Sequence, residues 1–124
     1  MRNLVLTLVL VLLTSCGLGG ISQTNQTARF AVTIQLDGQT AGERTITISI
    51  NDKTGAPATV DSVVVAPVMR EMGMVSPEVT ATPLGNGRYE IKGEPFSMIG
   101  VWELALRISA AGTEDSTSFQ VEIK

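Results

Sequence analysis

Residues 30–50 read FAVTIQLDGQTAGERTITISI and contain two stretches in which apolar and polar side chains alternate. The first stretch runs from Phe30 to Leu36, and the second runs from Thr45 to Ile50, where every second residue is isoleucine. Successive side chains of a β-strand point to opposite faces, so a period of two gives each strand one apolar and one polar face. This part of the chain therefore predicts two strands of a sheet that buries one face.

The rest of the chain continues in the same way. Turn signals occur at Asp52–Pro57 (DKTGAP), at the Asn-Gly pair within Leu84–Arg88 and at Ala111–Thr113. Further strands are predicted over 60–66, 78–82, 89–91, 102–108 and 119–123. About seven short strands without a helical period predict an all-β fold, an immunoglobulin-like antiparallel β-sandwich. We expect Tyr89 and Trp102 in its core, with Gly87-Arg88-Tyr89 similar to the turn before a tyrosine corner.

The N-terminus has the form of a secretory signal segment. Arg2 precedes an apolar run from Leu4 to Leu13, about ten residues long, whereas a bilayer-spanning helix needs about 20. The run ends in Leu13-Thr14-Ser15-Cys16-Gly17, which resembles the bacterial lipobox. We predict a signal peptide over 1–15 and a lipid on Cys16, with palmitate among its acyl chains. The alternative is that Cys16 is a buried thiol within an apolar segment.

The N-terminal sequence predicts a division of the chain into three segments and a cellular location. Residues 16–28, rich in Gly, Ser, Thr, Asn and Gln, would form a flexible tether, and residues 29–124 would form the β-sandwich. The protein would lie in the cell envelope, anchored by its lipid on the extracytoplasmic side of a membrane. Whether that membrane is inner or outer stays open. Cys16 is the only cysteine, so no disulfide is expected.

The composition argues against several functions. The chain has 9 Lys and Arg against 12 Asp and Glu, a net charge of −3, without a basic run for nucleic acid. With no histidine and a single lipid-bearing cysteine, the Ser-His-Asp, Cys-His and histidine-zinc arrangements are excluded. Asp52 and Asp61 could form a carboxylate pair, but solvated turn and strand ends explain them more simply. We therefore do not expect an enzyme.

Methionines are concentrated in residues 68–77, VMREMGMVSP, which contain Met69, Met72 and Met74. A thioether is a soft ligand for Cu(I), and it binds without losing a proton. On a regular strand Met72 and Met74 share a face and Met69 lies opposite, so the three converge only if Gly73 or the bend before Pro77 turns the backbone. The alternative is that these residues only fill gaps in the core.

Two longer segments resemble a known family. VVVAPVMREMGMVSPEV (63–79) and GNGRYEIKGEPFSMIGVWELALRI (85–108) are similar to the YtkA-like family of small exported domains, related to FixH-type proteins. The resemblance covers roughly 30–124 and implies an immunoglobulin-like sandwich, tethered to or exported across a membrane, with a suspected role in copper handling or oxidase assembly. Met69, Met72 and Met74 match the methionines of the first segment, and Met98 matches that of the second.

The sequence departs from the family at two positions. Arg70 stands where family members often have Pro, and Met74 stands where they often have His. Without imidazole, a site here would favour Cu(I) over Cu(II). For Met98, the alternative to metal binding is packing beneath Trp102.

Two functions are consistent with these observations. The first is a lipid-anchored β-sandwich that binds Cu(I) through its methionines for copper handling or oxidase assembly. The second is a metal-free interaction domain that helps to assemble a membrane protein complex and uses the 69–77 loop as an adaptable contact surface. A solute-binding protein is less favoured, because small sandwiches offer no deep cleft.

Overall fold

The computed structural model describes residues 20–124, which form ten β-strands and one short 3-10 helix, Arg70–Met72. The signal peptide predicted over 1–15 and Cys16, on which a lipid is predicted, lie outside the described residues. The strands are β1 Ile21–Gln26, β2 Phe30–Leu36, β3 Gly42–Asp52, β4 Ser62–Met69, β5 Met74–Val75, β6 Val79–Thr80, β7 Thr82–Gly85, β8 Arg88–Phe96, β9 Gly100–Ala110 and β10 Thr113–Ile123. Within residues 20–124, no helix is long and apolar enough to cross a bilayer.

The strands form two antiparallel sheets. One has the order β1-β2-β3-β8-β7, and the other has the order β10-β9-β4-β5, with β6 also paired to β4. If β2, β3, β4, β7, β8, β9 and β10 are taken as strands A to G, the sheets are ABED and GFC, the arrangement of immunoglobulin constant domains. The predicted all-β sandwich is confirmed. Ten strands form instead of about seven, because β1, β5 and the division of 78–85 into β6 and β7 were not expected.

The core lies between the inner faces of the two sheets. The alternation predicted over 30–50 is observed, since the apolar residues of β2 and the isoleucines of β3 are buried and pair across the sheet, as Ile34 does with Ile48. Trp102 is fully buried on β9 and meets the ring of Phe96 edge-on, with 5.6 Å between the ring centroids. Burying each such side chain stabilises the fold by about 1.5–3 kcal/mol.

Tyr89 is also in the core, but its contact differs from a tyrosine corner. It lies on β8, which corresponds to strand E, whereas the corner tyrosine belongs to strand F. Its hydroxyl accepts a hydrogen bond from the backbone N–H of Val60 at 2.9 Å, 29 residues earlier in the chain. The bond therefore ties β8 to the segment that enters β4 in the other sheet.

Residues 21–26, which the sequence placed in a flexible tether over 16–28, instead form β1. This strand pairs along its length with β2, from Ile21 opposite Leu36 to Gln26 opposite Ala31. Its half-buried side chains reach the other sheet: the amide of Gln23 donates to the carbonyl of Gln120 at 2.8 Å, and the amide of Asn25 donates to the carbonyl of Ser118. β1 thus closes the gap between the edges of the two sheets.

The buried carboxylate of Asp115 holds the turn between β1 and β2 in place. Asp115 on β10 is only 6% exposed, and it accepts hydrogen bonds from the Thr27 hydroxyl at 2.7 Å, the Arg29 backbone N–H at 3.1 Å and Arg29 Nε at 2.9 Å. The same guanidinium donates to the carbonyl of Ala110. We call the end of the sandwich that contains Thr27, Arg29, Ala110 and Asp115 the latch end.

The opposite end of the sandwich contains the methionine segment predicted from the sequence as a candidate metal site. At this end, Ile123 pairs with Gly100, Gly42 pairs with Phe96, and the backbone N–H of Lys124 donates to the carbonyl of Gln39 at 2.7 Å. We call it the methionine end. It comprises Gly20, the loop 37–41, the segment 69–75, the loop 97–100 and Lys124.

Candidate functional site

Met69 is the last residue of β4, and its side chain points into the core. It is 2% exposed. Its side chain lies over Gly100, the first residue of β9: a β-carbon placed on Gly100 would come within 2.7 Å of the Met69 methyl carbon and 3.6 Å of its sulfur. The absence of a side chain at Gly100 therefore makes room for the thioether.

The chain reverses immediately after Met69. Residues 70–72 form the 3-10 helix, and Gly73 ends it in the left-handed conformation, with φ 62° and its N–H bonded to the carbonyl of Arg70 at 3.1 Å. β5 then runs back along β4, so that Met74 lies directly opposite Met69. Opposed residues of an antiparallel pair project to the same face, and Met74 is accordingly partly buried against the core.

This turn groups the methionines differently from a continuous strand. Gly73 does bend the backbone, and it brings Met69 and Met74 together. Met72 is left in the turn itself, where its side chain is 60% exposed. The expectation that Met72 and Met74 share a face therefore does not describe this segment.

Met98 lies in the loop that precedes Gly100, at the same end of the sandwich. It is partly buried against the core, and its carbonyl accepts a hydrogen bond from Trp102 Nε1 at 3.0 Å. Because Trp102 is itself fixed against Phe96, this bond holds the loop 97–100 in place. The inner methionines of this end are thus Met69, Met74 and Met98, next to a buried aromatic pair.

An ion pair lies outside these sulfurs, on the outer face of the sheet. Arg70 donates to both carboxylate oxygens of Glu103, from Nε at 2.6 Å and from NH2 at 3.1 Å, and the Arg70 side chain is 74% exposed. The hydrogen bond from Arg70 holds the pKa of Glu103 below its ordinary value, so this carboxylate stays ionised. The charge of Arg70 is therefore balanced, and it projects away from the inner face that holds Met69.

Four exposed apolar side chains lie in the segments that carry the inner methionines or directly follow them. Met72, Val75, Ile99 and Val101 are 60%, 70%, 64% and 36% exposed. Next to them is a shallow cavity of about 240 Å³, lined by Val68, Val101 and the Arg70–Glu103 pair among others. We call Met72, Val75, Ile99 and Val101 the apolar rim. Ile99 and Val101 were not identified from the sequence. A signal for Ile99 was present, because Met98 and Ile99 are consecutive apolar residues and so break the alternation of apolar and polar residues expected of a strand.

The carboxylates of residues 20–124 are spread out, whereas the sulfurs are concentrated at one end. Across residues 20–124, His, Cys, Asp and Glu side chains nowhere form a group of three or more that could hold a metal ion. Asp52, considered above as half of a carboxylate pair, instead accepts hydrogen bonds within its own turn, from the backbone N–H of Thr54 and of Ala56. The Thr54 hydroxyl also donates to this carboxylate, and that bond, together with the backbone bonds, lowers the pKa of Asp52.

Comparisons with known proteins agree with the fold. A family model described as YtkA-like matches residues 22–107. A crystal structure of a Br derivative of BhCBM56 superposes with a TM-score of 0.55 at 20% sequence identity, covering 80% of this chain and 97% of that one. At that identity the similarity is one of fold. Among curated proteins, none matches the sequence.

Proposed function

The chain belongs to the YtkA-like family, and from this premise we propose that it is a lipid-anchored domain of the cell envelope that binds Cu(I) through methionine sulfurs. The observation that carries the proposal is the pairing of Met69 with Met74 across the β4–β5 turn, beside Met98 at the same end of the core. The ligands would be the sulfurs of these three residues.

The chemistry of this donor set suits Cu(I). Thioethers are soft, neutral ligands, and Cu(I) accepts three or four of them, while harder divalent ions prefer oxygen and nitrogen. Burial of Met69 keeps water away from the ion, and the neighbouring apolar surface favours a monovalent over a divalent charge. Arg70 does not oppose the cation strongly, because its charge is balanced by Glu103.

The anchor is supported by the first sixteen residues, with their short apolar run and the lipobox-like Leu13–Cys16. A lipid on Cys16 would hold the domain beside a membrane outside the cytoplasm. There, methionine can replace thiolate ligands that would be oxidised. The role that fits is copper delivery or tolerance at the membrane, including supply to an oxidase during its assembly.

A Cu(I) titration of the processed protein against a chromophoric chelator tests the proposal. The variant Met69→Leu/Met74→Leu/Met98→Leu should lose the bound ion, while Met72→Leu should retain it. Because Met-to-Leu exchanges conserve volume and cost less than about 1.5 kcal/mol each, circular dichroism should show all variants folded. Retention of copper by the folded triple variant would rule out these ligands.

A metal-free assembly domain is the second candidate, and the exposure of Met72 and Val75 favours it. These flexible or small apolar side chains in the 69–77 segment could contact a membrane protein complex. This function needs no sulfur ligands. The triple variant would then support assembly as well as the natural protein does, whereas the copper function predicts that it fails.

A further inference from the structure

We propose that the methionine end docks on the lipid bilayer, with the apolar rim at the level of the headgroups. The inference rests on the lipid anchor of the proposed function, and it adds an orientation: the sandwich stands on its methionine end, and the latch end points away from the membrane.

The chain leaves the domain at the methionine end. β1 is held to β2 by backbone pairing and to β10 by the side chains of Gln23 and Asn25, so the position of Gly20 is fixed relative to both sheets. Three residues lie between Cys16 and Gly20. The four steps from one to the other, when fully extended, span at most about 14 Å. A lipid on Cys16 would therefore keep this end close to the bilayer surface.

Exposed apolar side chains are concentrated at this same end. Within residues 20–124, six large apolar residues are exposed, and four of them form the apolar rim. The other two, Val79 on β6 and Leu84 on β7, lie on the same edge of the sandwich as β5 but farther from the methionine end: Val79 pairs with Val65, and Leu84 precedes Gly85, which pairs with Arg88. Ile99 is at the tip of a loop that the Trp102 hydrogen bond holds in place, so it can enter an interface without refolding.

The two ends of the sandwich are far apart compared with the thickness of a headgroup layer. A strand of eleven residues, such as β10, is about 35 Å long, whereas the headgroup region on each side of a bilayer is less than 10 Å thick. A probe at the latch end and a probe at the methionine end will therefore report clearly different depths.

Apolar contact, and not charge, is the attraction expected at this surface. The nearby charges are mixed: Arg70 is paired with Glu103, and Glu71 and Lys124 are of opposite sign. A surface attracted to anionic lipids would instead carry clustered Lys and Arg. Docking should consequently occur on neutral phosphatidylcholine, and added salt should weaken it little.

Depth-dependent quenching tests the orientation on the processed, lipidated protein in phosphatidylcholine vesicles. Ile99→Cys and Leu84→Cys each place one labelling site on an exposed position, 64% and 46% exposed, at the rim and away from it. The natural Cys16 would be blocked by its lipid. An environment-sensitive fluorophore at 99 should shift to the blue and be quenched severalfold more by brominated lipid than the same fluorophore at 84. Adding Met72→Asp to the Ile99→Cys protein should reduce that quenching.

The other outcomes distinguish a failure of the proposed docking from a failure of the proposed anchor. Equal, weak quenching at both positions in protein that floats with the vesicles would overturn the docking and leave the anchor standing. Protein that does not float with the vesicles would overturn the anchor, and the docking with it. Quenching at 99 that needs native membranes and is absent in pure lipid would assign the rim to a membrane protein and overturn the docking on lipid.

Discussion

Replacing Asp115 with alanine should destabilise the protein by about 2–4 kcal/mol at neutral pH. The change removes the acceptor of three hydrogen bonds, from the Thr27 hydroxyl and from two N–H groups of Arg29. Breaking a buried ion pair costs about 3–5 kcal/mol, and the loss here should lie at or somewhat below the lower end of that range. The reason is that the Arg29 side chain is 33% exposed and can turn partly towards water.

The loss should also depend on pH. Burial raises the pKa of Asp115, but the hydrogen bonds from Thr27 and Arg29 and the charge of Arg29 lower it more, so that the pKa in the folded protein is below its ordinary value. A carboxyl of this kind stabilises the fold above its unfolded pKa, about 3.9, and that stabilisation disappears as the pH falls through the lower folded value. The difference between natural protein and variant should therefore shrink in acid.

Urea unfolding, followed by the fluorescence of the single, buried Trp102, measures both effects. Glu114→Ala is the matched control, because Glu114 is the exposed neighbour on the same strand and its loss should change stability by less than about 0.5 kcal/mol. A destabilisation by Asp115→Ala that is the same at pH 7 and at about pH 2.5 would refute the role of the ionised carboxylate.

Two further substitutions test contacts between the sheets. Tyr89→Phe leaves the buried N–H of Val60 without its partner and should lower the free energy of unfolding by about 1–3 kcal/mol in urea melts; an unchanged midpoint would mean that water replaces the hydroxyl. Gly87→Ala places a methyl group 2.5 Å from the carbonyl oxygen of Ile50 at a φ of 71°, and it should cost about 2–4 kcal/mol in thermal unfolding. Gly112→Ala has a similar φ of 74° and open space around it, so it should cost less, and equal losses would contradict the clash.

Most of the sandwich could be predicted from the sequence because its inward positions are apolar. β1 could not, because its residues, ISQTNQ, are almost entirely polar. Its inward side chains after Ile21 are Gln23 and Asn25, and they stabilise the strand through hydrogen bonds to β10 instead of burying apolar surface. A hydrophobic period cannot reveal such a strand, and its Ser, Thr, Asn and Gln content is the same as that of a flexible linker.

The methionine segment shows a different limit of sequence analysis. Convergence of the three methionines was predicted to need a turn at Gly73 or at the bend before Pro77. The turn at Gly73 is observed, but it places only Met69 and Met74 opposite each other and leaves Met72 exposed. Met69 and Met74 are brought together because the chain reverses between them. A turn of four residues, 70–73, places Met69 opposite Met74 and leaves Met72 outside the pair. Which residues a short turn brings together depends on the conformation of each residue within it, and the order of apolar and polar residues does not encode that.

The position of the anchor constrains how copper could reach the inner methionines. Met69 is 2% exposed, whereas Met74 and Met98 are only partly buried, so an ion at the proposed site would approach past one of those two residues. If that end docks on the bilayer as proposed, the approach would lie at headgroup level, and the exposed thioether of Met72 would be the first one that an incoming ion meets. Exchange with a membrane protein would then require a short transfer along the surface, whereas exchange with a soluble carrier would require the domain to lift from the membrane. The proposed anchor and docking would thus favour a partner that is itself in the membrane.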